Sequence, residues 1–115
     1  MLTMEKKEKI EWGSGNVFAD IGLPHPERVM ARAQIMLRVA EIIRERGLTQ
    51  REASKLLGIP QSKVSCLMNG KLSQFSLDHL LGLLNVLGRD VEIIIKPKTG
   101  RKKKGATQVR LSRAA

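Results

Sequence analysis

Two short stretches of helix-forming sequence flank a single glycine, Gly58, and this limits how they can pack. Thr49 can cap the first stretch, with Glu52 at the capping-box position three residues later. Pro60 suits the start of the second stretch, and Asn69 followed by a glycine suits its end. Because glycine tolerates a left-handed backbone, Gly58 between two such short helices predicts a tight turn. The two helices must therefore cross closely.

Residues on both sides of Gly58 have the sizes that a close helix pair needs. Ser54 is small enough for close approach, and its hydroxyl can bond back to the carbonyl four residues earlier. Ile59, Val64 and Leu67 supply the apolar side chains of a shared core. The spacing is that of a helix-turn-helix.

Flanking segments show their own periodicity. Apolar residues at spacings of three and four predict a long amphipathic helix over residues 27–46, ended by Gly47. Leucines at 77, 80, 81, 84 and 87, with Ser76 as cap and Gly88 as stop, predict another helix. Alternating apolar residues over residues 89–97 predict one strand, stopped by a proline. The predicted fold is mostly α, a bundle of four to five helices with a C-terminal β-strand.

A lone strand cannot satisfy its own backbone hydrogen bonds. Two partners are open: the weak extended segment at residues 16–19, or the same strand of a second chain. The second choice makes a symmetric homodimer in which Val91, Ile93 and Ile95 form the dimer strand.

Charge divides the chain. Its net charge is +10, but the first 95 residues carry 13 basic against 11 acidic side chains, and the other eight basic residues follow Glu92. We therefore separate an N-terminal arm (1–26), a domain (27–96) and a basic tail (97–115) that we expect to be disordered when unbound. The tail lacks an apolar face or lipidation signal for a membrane surface, which favours a phosphate-binding arm over a membrane anchor. A tail that only adds solubility stays open as an alternative.

Several classes of protein are disfavoured. No apolar run approaches the roughly 18 to 20 residues that cross a bilayer, so we expect a cytoplasmic protein without a membrane partner. Cys66 is the single cysteine, and His25 and His79 are far apart in sequence, so we expect no metal site. The sequence shows no arrangement of a nucleophile with a base and no cofactor-binding motif. We therefore expect neither an enzyme nor a cofactor. Three aromatic residues offer little for stacking RNA bases.

The motif resembles the XRE-type, lambda-repressor-like helix-turn-helix family over about residues 35–88. The matching elements are Leu-Thr-Gln at 48–50, Leu-Gly-Ile at 57–59, Gln-Ser-Lys-Val-Ser at 61–65 and Asn-Gly at 69–70. The segments at 16–23 and 90–97 further resemble small antitoxin-like bacterial regulators.

This resemblance implies a sequence-specific DNA-binding transcriptional regulator, in our interpretation an autoregulating repressor that binds double-stranded DNA. The alternative it implies is an antitoxin that neutralises a partner toxin by protein-protein binding. The implied DNA-binding residues are Gln50, Gln61, Ser62, Lys63, Ser65, Asn69 and Lys71.

Their implied roles differ along the motif. Gln50 faces a phosphate, whereas Gln61, Ser62 and Ser65 face base edges in the major groove. Asn69 and Lys71, just past the second helix, hold phosphates. Lys63 is open between a phosphate anchor, a base reader and a solvated side chain. Cys66 and Met68 stand where family members often have longer polar or charged residues, which implies either fewer direct base contacts or a preference for thymine methyl groups.

Overall fold

A computed structural model describes residues 26–101 and 104–112 of the 115-residue chain. In these ranges four α-helices and one 3-10 turn follow one another: α1 Pro26–Glu45, α2 Gln50–Leu57, α3 Gln61–Met68, the turn Leu72–Gln74 and α4 Leu77–Val86. This confirms the mostly α bundle. The N-terminal arm and its segment at 16–19 lie outside the described residues, apart from the first residue of α1.

Side-chain caps set two of the helix starts. The Thr49 hydroxyl accepts a hydrogen bond from the Glu52 amide at 3.1 Å, and the Glu52 carboxylate accepts one from the Thr49 amide at 2.8 Å. Ser76 caps α4 by accepting from the His79 amide at 3.1 Å. Both predicted caps are confirmed. Gly58 ends α2 at φ 71°, and because a β-carbon there would meet nothing within 4 Å, backbone conformation rather than space favours glycine.

One apolar core lies between α1 and the three shorter helices. Its largest fully buried side chains are Phe75, Ile42, Ile43, Leu67, Leu80, Leu87, Val39 and Val64. The predicted face of α4 was partly wrong, since Leu83 is buried while Leu77 is 39% exposed and Leu81 is half-buried. The buried stripe on α4 instead runs through positions 80, 83, 84 and 87, which is the spacing of one helical face.

The predicted C-terminal β-strand is absent from the described residues. The side chains of Ile93, Ile94 and Ile95 are 72%, 71% and 92% exposed, and no residue of 89–97 is assigned to a strand. A strand requires hydrogen bonds to a neighbouring strand, and the described part of the chain contains no second strand that could supply them. The alternating pattern thus predicted a strand that is not formed among the residues the structure describes.

Part of the tail lies against the domain. Val109 is half-buried and packs against the core, while Thr107 lines a cavity with Arg28 and Arg32 of α1 and Leu77 of α4. The predicted boundaries at residues 27 and 97, and disorder of the unbound tail, stay predictions.

Within residues 26–101 and 104–112, no helix has both the length and the apolar character that a membrane span requires. In the same ranges, no three His, Cys, Asp or Glu side chains converge as ligands of a metal ion would.

Candidate nucleic-acid interface

A three-residue turn, residues 58–60, joins α2 to α3 and is tied to α2 by one serine. The Ser54 hydroxyl donates to the Ile59 carbonyl at 2.5 Å, and the Ser54 carbonyl accepts from the amides of Gly58 at 2.9 Å and Ile59 at 3.2 Å. The expected bond to the carbonyl of Gln50 was therefore wrong. Because the hydroxyl bonds forward into the turn, Ser54 fixes the direction in which α3 leaves it.

Buried side chains define the inner faces of the two helices. Ala53 and Leu57 of α2, and Val64 and Leu67 of α3, are each at most 7% exposed. Since residues of an α-helix are about 100° apart, position 62 lies opposite the buried pair 64 and 67, positions 65 and 66 lie about 50° to either side of it, and position 61 lies about 90° away. Of the predicted base-reading residues, Ser62 and Ser65 therefore lie on the outer side of α3, and Gln61 lies at its edge in the first turn.

Exposure agrees with this placement. Gln61 and Ser62 are exposed, and Ser65 is half-buried. Asn69, at the C-terminal cap of α3, is exposed, and its side-chain amide donates to the Ser65 hydroxyl at 3.3 Å. This hydrogen bond orients two of the predicted contact residues with respect to each other.

Two further predicted residues flank α3. Gln50 is exposed as the first residue of α2, where the helix dipole favours an anion such as a phosphate. Lys71 is exposed just before the 3-10 turn. Both positions are compatible with backbone contacts on either side of a groove that holds α3, and the DNA-binding roles of these residues stay predictions.

Lys63 has a different environment from the other predicted residues of α3. Its ammonium donates to the Gln74 carbonyl at 2.5 Å and lies 4.8 Å from the centroid of the Phe75 ring. Its side chain thus reaches the turn that follows α3, about 160° around the helix from Gln61.

Cys66 and Met68 are half-buried and pack against the core. Their apolar character therefore serves the contact between α3 and the rest of the bundle. Met68 lies near the buried inner side of α3, whereas Cys66 lies as close to the outer side as Ser65 does. The implied reduction in polar base contacts therefore stays a prediction for Cys66.

Arg32 of α1 is a residue near this site that sequence reasoning missed. Its guanidinium donates to the carbonyl of Phe75 at 3.0 Å and to that of Leu72 at 3.4 Å. The one signal in the sequence is the position of Arg32 between two small apolar residues, Ala31 and Ala33. In the structure Ala31 is buried and Ala33 is half-buried.

Comparison with known proteins supports the same motif. A family model for a helix-turn-helix domain matches residues 17–96. A solved structure named "Putative XRE Family Transcriptional Regulator" is similar to this chain at 35% identity, with 77% of this chain and 100% of that chain covered and a TM-score of 0.70. No curated protein matches. The family model spans more than half of the sequence and the solved structure is matched over its whole length, so the chain belongs to the XRE-type helix-turn-helix family of DNA-binding regulators.

Proposed function

We propose that this protein is a sequence-specific transcriptional regulator that binds DNA as a homodimer and represses its own gene. The outer side of α3 carries the proposal, because it presents polar side chains at positions 62 and 65, with Gln61 at its edge, away from the buried Val64 and Leu67. An α-helix of this kind fits the major groove, where side-chain amides and hydroxyls distinguish base pairs. Binding over a promoter would exclude polymerase, and the role implies a cytoplasmic location.

Contacts to phosphates would set the register of α3 on the duplex. We assign this role to Gln50 before the groove and to Asn69 and Lys71 after it. Gln61 is the residue that we assign to base reading first, since it is exposed in the first turn of α3 and a glutamine amide can pair bidentately with adenine.

Gln61→Ala is expected to cost about 1 to 3 kcal/mol of binding free energy on the preferred site and to relax preference at one base position. Binding to a set of duplexes with single-base changes, at one salt concentration, measures this. Gln34→Ala, which alters an exposed glutamine on α1 outside both the motif and the basic tail, is the matched control and should leave the preference profile intact. Equal weakening on every duplex would contradict a reading role for Gln61.

Removal of residues 98–115 is expected to reduce the salt dependence of DNA binding while the sequence preference is retained. Seven of the eight basic residues after Glu92 lie in this segment, and each phosphate that a cation neutralises steepens the salt dependence. Titrations at several salt concentrations give the slope for the full chain and the truncated chain. The same slope in both would contradict the phosphate-binding arm.

The dimer contact that we propose is the segment with Val91, Ile93 and Ile95. These side chains are 38%, 72% and 92% exposed in one chain, and a second copy would remove their apolar surface from water. Two-fold symmetry would also present two α3 helices to half-sites about one DNA turn apart.

Neutralisation of a toxin is the second candidate function. It is favoured by an apolar groove between α1 and the end of α3, away from positions 61 and 62, in which Leu37 is 56% exposed beside Met36, Ala40 and Met68. Co-expression with the product of the adjacent gene tests it: a stable complex that Leu37→Asp breaks supports the antitoxin function, and no complex contradicts it.

A further inference from the structure

The turn that follows α3 is held from two sides by cations. It spans Leu72–Gln74, is followed by the buried Phe75, and leads directly into the Ser76 cap of α4. The last carbonyls of a helical turn lack donors within the turn, so they need partners from elsewhere.

Lys63 supplies one of these partners from α3. Its hydrogen bond to the Gln74 carbonyl joins residues 11 apart in sequence, and its position over the Phe75 ring adds a cation-π contact. The Lys63 ammonium therefore contacts the backbone of its own chain.

Arg32 supplies the other partner from α1. It donates to the carbonyls of Leu72 and Phe75, 40 and 43 residues later in the chain. The carbonyls of the turn are thus bound by one cation from α3 and one from α1, while the Phe75 side chain, 1% exposed, is held in the core below them.

We propose that Lys63 and Arg32 are positioning residues, which fix the turn 72–75 against α3 and so place Lys71 for its phosphate, and that Lys63 does not itself bind DNA. The part of this inference that concerns DNA rests on the proposed function. The part that concerns the turn does not, because it can be measured on the free protein.

The first experiment measures hydrogen exchange of the Gln74 and Phe75 amides in the free protein. Lys63→Met keeps the apolar stem and removes the ammonium, and Arg32→Met does the same from α1. Both are expected to speed exchange at these amides about tenfold, while Lys63→Arg restores slow exchange. Lys55→Met is the control, because Lys55 is exposed on α2.

The second experiment measures DNA affinity against salt concentration for the same variants and for Lys71→Met. Loss of a phosphate contact should make the log-log slope shallower by about one, which we expect for Lys71→Met. For Lys63→Met and Arg32→Met we expect affinity to fall about three- to tenfold at fixed salt with an unchanged slope, and Lys63→Arg to recover it. Circular dichroism confirms that each variant is folded at the temperature of the assay.

Two results would overturn the inference: unchanged exchange at Gln74 and Phe75 in both methionine variants, or a slope change in Lys63→Met as large as that in Lys71→Met. If the unaltered protein binds no DNA but the exchange rates rise as expected, the proposed function fails while the positioning role of the two cations is supported.

Discussion

Phe75→Ala is expected to lower the free energy of unfolding by about 3 to 5 kcal/mol. The Phe75 side chain is 1% exposed and lies where α1, α3 and α4 meet the turn, with its ring centroid 5.4 Å from that of His79 and the Lys63 ammonium 4.8 Å away. Removal of the ring leaves a cavity that backbone carbonyls held by two cations cannot easily close. The loss therefore includes both the transfer free energy and the cavity.

Chemical denaturation followed by circular dichroism measures this change. Leu77→Ala is the control, because Leu77 begins α4 close to Phe75 in sequence but is 39% exposed. We expect less than half the effect of Phe75→Ala there, since less apolar surface returns to water. A loss below about 1 kcal/mol for Phe75→Ala would contradict a central role for the ring in the core.

Ile93→Asp is expected to give monomers and to weaken binding to a palindromic site about a hundredfold or more, because one chain then binds one half-site without its linked partner. A carboxylate buried in the dimer contact would lose its hydrating water, which costs a large free energy of desolvation. The two chains would therefore stay apart. Ile93 is 72% exposed in the single chain, so the fold of each monomer should be unaffected.

Sedimentation measures the mass of the particle, and thermal unfolding checks the monomer fold. Leu111→Asp is the matched control, since it places the same charge on another exposed apolar residue, 47% exposed, outside the proposed contact. Dimers that persist in Ile93→Asp would remove residues 91–95 from the dimer contact, and dimers lost in both variants would point to the tail instead.

Local signals explain which parts of the fold the sequence predicted well. The capping box of Thr49 and Glu52, the Ser76 cap and the left-handed Gly58 act over a few residues, so their helix boundaries could be predicted from short stretches. The outer side of α3 could be predicted for the same reason, because helical spacing places position 62 opposite the buried Val64 and Leu67.

Interactions between distant residues explain what the sequence left open. The sequence left the role of Lys63 open and gave none to Arg32, because only the turn after α3 brings the carbonyls of Gln74 and Phe75 within hydrogen-bond distance of these cations. The apolar alternation at residues 89–97 indicated a strand, but pairing depends on a neighbour that the described part of one chain does not supply. A helix forms its backbone hydrogen bonds within one short segment, so it can be predicted from the sequence of that segment. Side-chain bonds to remote carbonyls, and strands, depend on where the rest of the chain or a second chain lies.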